Sequence, residues 1–179
     1  MNSALDGIRI LDLSRVLAGP WATQLLGDFG ADVVKVERPG RGDDTRQWGP
    51  PWLGSESAYF LSTNRNKRSV TIDFTNDEGQ KLVRALAAKS DVLVENFRFG
   101  TLQRYNLDAD DLMASNPGLI VCSISAFGQT GSRAAEPGYD AMIQASGGLM
   151  SITGPEDGGP QKVGVAIADI MAGMYAACA

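Results

Sequence analysis

The chain has 179 residues, 44% hydrophobic and 21% charged, enough for one globular domain with a sizeable core. Its formal net charge of −5 argues against a general nucleic-acid binder, whose affinity comes from neutralising phosphates. There is no histidine, which excludes a His-based triad, a histidine general base and the common zinc sites within this chain.

Met1–Asp6 does not read as a signal peptide, and no apolar run reaches membrane-spanning length. A cytoplasmic protein with no membrane partner is expected. Ile8–Leu13 (IRILDL) reads as a first strand, and Ser14–Pro20 as a loop. Trp21–Phe29 has helical spacing, with Gly30 placed to close the helix. Asp32–Glu37 (DVVKVE) is a second strand. Arg38–Ser57 is rich in Gly, Pro, Trp and charge. A structureless loop of about twenty residues is uncommon in a compact domain unless it has a function.

Ser69–Phe74 (SVTIDF) alternates as a third strand. Thr75–Glu78 spells a capping box, and Gly79–Lys89 follows as an amphipathic helix with Leu82, Val83, Leu86 and Ala87 inward. Asp91–Glu95 (DVLVE) is a fourth strand. Leu107–Ala114 is helix-like and leads through Asn116-Pro117-Gly118 into a fifth strand, Leu119–Ile124. Cys122 packs there as a small hydrophobe. With Cys178 it has no metal-ligand spacing, and nothing implies a disulfide. Strands alternating with helices, several apolar enough to be buried on both faces, predict an α/β fold with a doubly wound, mostly parallel sheet.

In such sheets ligands bind outside the carboxyl ends of the strands. The candidate functional loops are therefore Ser14–Pro20, Arg38–Ser57, Asn96–Gly100 and Ser125–Tyr139. SRVLAGP after the first strand is not GxGxxG, which removes the main support for a dinucleotide cofactor. Arg38, Arg98, Arg104 and the run Asn64–Arg68 cluster cations near strand ends, which suggests an anionic ligand. Asn96-Phe97 could bond a ligand amide and stack on a ring, or could be a turn residue with a core aromatic. The pairs Asp43-Asp44 and Asp110-Asp111 lack metal-site spacing and read as turn and cap residues. Gly147-Gly148 and Gly154–Pro160 mark mobile backbone.

The window Val163–Tyr175 contains one charge, Asp169, among apolar and small residues. Burying an unpaired carboxylate costs several kcal/mol, roughly. Asp169 therefore either caps a helix over Ile170–Ala179 or is a reactive group kept dry. The two roles are compatible, because a helix N-terminus favours the ionised form. The chain stops at Ala179 inside this helix-like segment with no closing glycine, which reads as part of a longer chain.

From Leu5 to the last residue the chain resembles the N-terminal part of a family III CoA-transferase. The resemblance rests on LDGIRILDLSRVLAGP, DVVKVERPGRGDDTR, NRNKRSV, VENFRFGTLQRY, SISAFGQTG, PGYDAMIQASGG and GVAIADIMAG. GDDTRQWGPP and SGGLMSITGPEDGGP are most similar to the branch that moves CoA between dicarboxylic acids, of the succinyl-CoA–glutarate type. The resemblance implies a Rossmann-like large domain, here residues 1–179, with the small domain and return segment absent. It implies Asp169 as the catalytic aspartate. It implies CoA contacts at Leu17, Ala18, Arg38, Ile72, Asn96, Phe97, Arg98, Arg104, Tyr139 and Asp140. Arg65 is the candidate for the far carboxylate of a diacid. Glu136-Pro137 departs from the family, whose members often carry a basic residue there. No permanently bound cofactor and no metal are expected. The expected partners are acyl-CoA and carboxylic acids, with an interlocked homodimer for the full-length form. The same family contains 2-methylacyl-CoA racemases, which carry a histidine where Tyr139 stands, so tyrosine favours transfer. A CoA-binding piece without turnover is the further alternative.

Overall fold

The structure is a computed structural model and describes residues 3–179, so the first two residues of Met1–Asp6 lie outside the described residues. In chain order the elements are β1 (Arg9–Asp12), α1 (Ala18–Asp28), β2 (Asp32–Glu37), β3 (Trp52–Leu53), β4 (Glu56–Ser57), α2 (Ala58–Thr63) and β5 (Lys67–Thr71). They continue with α3 (Asp77–Ala87), β6 (Val92–Glu95), α4 (Thr101–Arg104), α5 (Ala109–Ser115), β7 (Ile120–Ser123), α6 (Asp140–Ser146) and α7 (Ile167–Cys178). Five strands form one parallel sheet in the order β5-β2-β1-β6-β7, while β3 and β4 form a separate antiparallel hairpin.

Alternation along the strands divides the core in two. Ile10, Val33 and Val94 bury one face together with Ala31. Leu11, Val36 and Leu93 bury the other against Val83 and Ala87 of α3, Leu102 of α4 and Leu112 of α5. Covering both faces is what a parallel sheet requires, and it explains the near-continuous apolar strands. Gly30 closes α1 as expected. With φ at 101°, it lets its own N–H reach Gly27 O and lets Ala31 N–H reach Leu26 O.

Beyond shifts of element ends (the third strand runs Lys67–Thr71, and α1 begins at Ala18 inside the expected loop), four local expectations differ. The cap of α3 is Asn76, whose side chain accepts from Gly79 N at 3.0 Å, while Thr75 bonds back to Asp73. Leu82 is 55% exposed, because the buried stripe of α3 runs through Gly79, Gln80, Val83 and Ala87. The stretch Arg38–Ser57 is ordered: a 3-10 turn (Asp44–Gln47) and the hairpin are held by Arg46, which bonds Glu37 at 2.7 Å and Glu56 at 2.9 Å and lies 3.7 Å over the Phe60 ring. Finally, α7 starts at Ile167, so Asp169 lies in its first turn and is not its cap.

Candidate active site

The sheet order reverses between β1 and β6, and the loops leaving these strands diverge. Such a switch point opens a crevice. Asn96, directly after β6, ties the two loops together: its Nδ2 donates to Arg15 O at 2.7 Å, and its Oδ1 accepts from Arg15 N at 2.9 Å. Both amide atoms thus bond backbone, the turn role that stands open beside ligand contact. Above it lies a groove of about 260 Å³. Its walls include Leu17, Ala18, Phe97, Arg98, Ser125, Tyr139 and Asp169.

A buried charge network fixes the β1 loop from below. Asp12 is fully buried and accepts from Thr23 Oγ1 at 2.7 Å and from Lys67 Nζ at 3.0 Å. Lys35 Nζ reaches Ser14 O at 2.7 Å and Asp43 Oδ2 at 3.0 Å. Asp43 in turn accepts from Val16 N at 3.2 Å. Val16 is β-branched with φ at 69°, a conformation that needs such support. Burial alone would raise the Asp12 carboxyl, but the Lys67 and Lys35 charges and the Ser14 and Thr23 hydroxyls hold it at about 2. Burial pulls Lys67 down to about 8 despite Asp12.

Asp169 reaches the groove because α7 crosses α1 closely. At the crossing is Gly173, where a Cβ would lie 2.4 Å from Ala18 O. The first turn of α7 is capped from another element: Asp140 Oδ1 accepts from Ala168 N at 2.8 Å and from Asp169 N at 3.4 Å. Asp169 itself is half-buried. Burial, and then the Asp140 charge, raise its carboxyl to about 6. Its ionised form is thereby destabilised, yet it prevails at neutral pH. Burial also pushes the Tyr59 phenol up, with added contributions from the charges of Asp169, Asp43 and Asp140.

A second groove of about 250 Å³ shares Arg15 and Phe97 with the first. Arg38, Ile72, Phe74, Thr101 and Tyr105 line it. Phe74 meets Phe97 and Tyr105 edge-on, with centroids 5.7 and 5.6 Å apart. The two grooves thus adjoin at Arg15 and Phe97: Asp169 and Arg98 lie on the first, and Arg38 with the aromatic cluster on the second.

The expected site residues separate into three groups. Leu17, Ala18, Asn96, Phe97, Arg98, Tyr139 and Asp169 line the first groove, and Arg38 and Ile72 line the second. Asp140 stands behind Asp169 as the α7 cap. Arg104 and Arg65 line neither groove. The Arg104 guanidinium lies 5.6 Å from the Tyr105 ring centroid. Arg65 bonds Asp28 at the far end of α1. The Asn64–Arg68 run is a correction: its backbone precedes or opens β5 at the amino end of the sheet, and only the Lys67 ammonium extends to Asp12 at the carboxyl end of β1. Asp28, Asp12 and Asp32 take up Arg65, Lys67 and Arg68. Arg98, by contrast, makes no ion pair among the described residues. Arg15 and Ser125 fall in the expected loops Ser14–Pro20 and Ser125–Tyr139 without being singled out there, and Phe74 and Tyr105 lie outside every expected loop. Arg15 is the findable one, as a charge at the carboxyl end of β1.

Among the described residues, no group of three His, Cys, Asp or Glu side chains could hold a metal ion, and no helix is long and apolar enough to cross a membrane. A parallel α/β sheet with an aspartate-lined groove at its switch point is the class of protein defined so far. The chain belongs to CoA-transferase family III, whose family model matches residues 5–179. It is 54% identical over 172 residues to a succinyl-CoA:glutarate CoA-transferase of Mus musculus, covering 96% of this chain and 39% of the relative. It is 52% identical over 181 residues to a succinate–glutarate CoA-transferase of Agrobacterium fabrum, covering 98% of this chain and 45% of the relative. Among solved structures, a CAIB/BAIF family protein from Brucella suis superposes with a TM-score of 0.95 at 53% identity, covering 99% of this chain and 48% of that one. The chain therefore spans less than half the length of these relatives.

Proposed function

We propose that the chain is the CoA-binding part of a CoA-transferase that moves CoA between carboxylic acids, with dicarboxylates as donor and acceptor, through covalent catalysis by Asp169. The observation that carries this reading is the position of Asp169: a half-buried carboxylate, held at about 6, on the wall of a groove that shares Arg15 and Phe97 with a second groove lined by Arg38 and aromatic rings. The diacid preference comes from the names of the relatives. Residues 1–179 would then be the N-terminal part of a larger CoA-binding domain. The full-length form would be an interlocked homodimer.

The thioester end of an acyl-CoA lies at Asp169 in this reading. Phe97, Phe74 and Tyr105 offer ring faces and edges to the base, and Arg38 and Arg98 offer donors to its phosphates. An Asp169 carboxylate oxygen attacks the thioester carbonyl. The C–S bond breaks, which gives an aspartyl–acyl anhydride and CoA thiolate. The thiolate attacks the aspartyl carbonyl, forming aspartyl-CoA thioester and releasing the first acid. An incoming carboxylate attacks that thioester, and the same steps run in reverse to give the new acyl-CoA and free Asp169. One thioester is exchanged for another, so no ATP is consumed. Water must be kept from the anhydride, and the apolar walls Leu17, Ala18 and Ala172 serve this.

Hydroxylamine or borohydride trapping during incubation with acyl-CoA, followed by peptide mass analysis, tests the reading. Modification at Asp169 is expected. A label elsewhere, or full transfer in Asp169→Ala, removes the mechanism.

A further inference from the structure

Two guanidinium groups that line the second groove converge on one carboxylate. Arg15 Nη1 lies 2.8 Å from Asp44 Oδ2, and Arg38 Nη2 lies 3.2 Å from Asp44 Oδ1. Both arginines line the grooves. We infer that Asp44 is a resident counter-ion that a phosphate of CoA must displace, and that it weakens CoA binding and thereby speeds release. The inference rests on the CoA reading above.

The arrangement is built into the backbone on both sides. Asp44 follows Asp43, which is buried, pairs with Lys35 and caps the 3-10 turn through Thr45 N at 3.0 Å. Arg15 is clamped by the Asn96 amide. The Arg15 and Arg38 side chains remain 44% and 53% exposed, so a ligand in the groove can reach their free edges. A carboxylate and a phosphate compete for the same guanidinium donors. If both stay, two like charges share one small site and repel. Exposed ion pairs add little to stability, so the main effect of Asp44 falls on the ligand. Within one set of related complexes, such affinity differences appear mostly as dissociation rates. Asp44 thus acts as a positioning and specificity-determining residue for the anionic end of the ligand.

The test is calorimetric titration of the parent chain, Asp44→Asn and Asp44→Asn/Arg38→Met with CoA and with pantetheine, which has no phosphate. Asp44→Asn is expected to tighten CoA binding about 3- to 10-fold, to leave pantetheine unchanged, and to steepen the salt dependence. The gain is expected to shrink in the double variant. Weaker or unchanged CoA binding in Asp44→Asn overturns the inference, as does an equal change for CoA and pantetheine. If the parent binds CoA and Asp44→Asn has no effect, this inference alone falls. If the parent binds no CoA, it falls together with the reading of the grooves.

Discussion

Asp169 is costly to bury, so Asp169→Asn is expected to stabilise the fold at pH 8 while abolishing transfer. Burial and the neighbouring Asp140 charge raise its carboxyl from 3.8 to about 6. For a fully desolvated group that displacement is worth about 3 kcal/mol. Asp169 is only half-buried, and solvent screening reduces the figure to ~1.5 kcal/mol. The positive end of α7 favours the charge and returns ~0.5 kcal/mol. The net gain is ~1 kcal/mol, or roughly 2–4 °C in Tm for a chain of this size. The sign follows from proton counting. Between about pH 4 and 6 the folded state binds more protons at this site than the unfolded state, so the parent loses stability as pH rises through that window. Above it the loss is complete. Melts followed by circular dichroism at pH 5 and pH 8 check this. The advantage of Asp169→Asn over the parent should be larger at pH 8. A variant less stable than the parent at pH 8, or an advantage equal at both pH values, would refute the reasoning.

Three further outcomes are expected. Asp140→Asn removes the like charge beside Asp169 but keeps an oxygen that can cap Ala168 N, so the acid limb of the transfer pH profile should move below about 6 without loss of folding; an unmoved limb would show that the Asp140 charge is not felt. Gly173→Ala places a Cβ 2.4 Å from Ala18 O, and the overpacking, ~1–3 kcal/mol, should outweigh the helix-propensity gain of ~1 kcal/mol. Urea denaturation should show a less stable variant, and one as stable as the parent would mean that the crossing of α1 and α7 is loose. Asp12→Ala leaves Lys67 without its buried partner and should cost ~3–5 kcal/mol. In the parent the Asp12 contribution is present above pH 3.8 and is lost as pH falls toward about 2. An Asp12→Ala midpoint equal to that of the parent in urea would contradict the network.

The sheet and its loops were legible because their signals are local. DVVKVE is β2 residue for residue, and the loops after β1 and β6 do form the groove. What was not legible depends on partners far along the chain. The cations of Asn64–Arg68 are taken up by Asp28, Asp32 and Asp12, and charge runs carry no information about which end of the sheet they reach. Asp169 resembled a cap because Asp is a good one. The true cap, Asp140, comes from 29 residues earlier and can be found only when α6 and α7 are placed together. Asn96 was ambiguous for the same reason: its two backbone partners both belong to Arg15, on another strand's loop. Phe74 followed a strand pattern that says only "core", and its place beside Phe97 and Tyr105 is tertiary.

The most direct measurement of covalent transfer through Asp169 is a single turnover with an acceptor acid labelled with oxygen-18 in its carboxylate. Asp169 is the one side-chain carboxylate within residues 163–179, so fragment ions spanning these residues in tandem mass spectrometry can locate the label. The steps above leave one acceptor oxygen on Asp169 after each transfer. Label at Asp169 in the parent is the expected result. Transfer proceeding with no label at Asp169 would contradict the aspartyl intermediates.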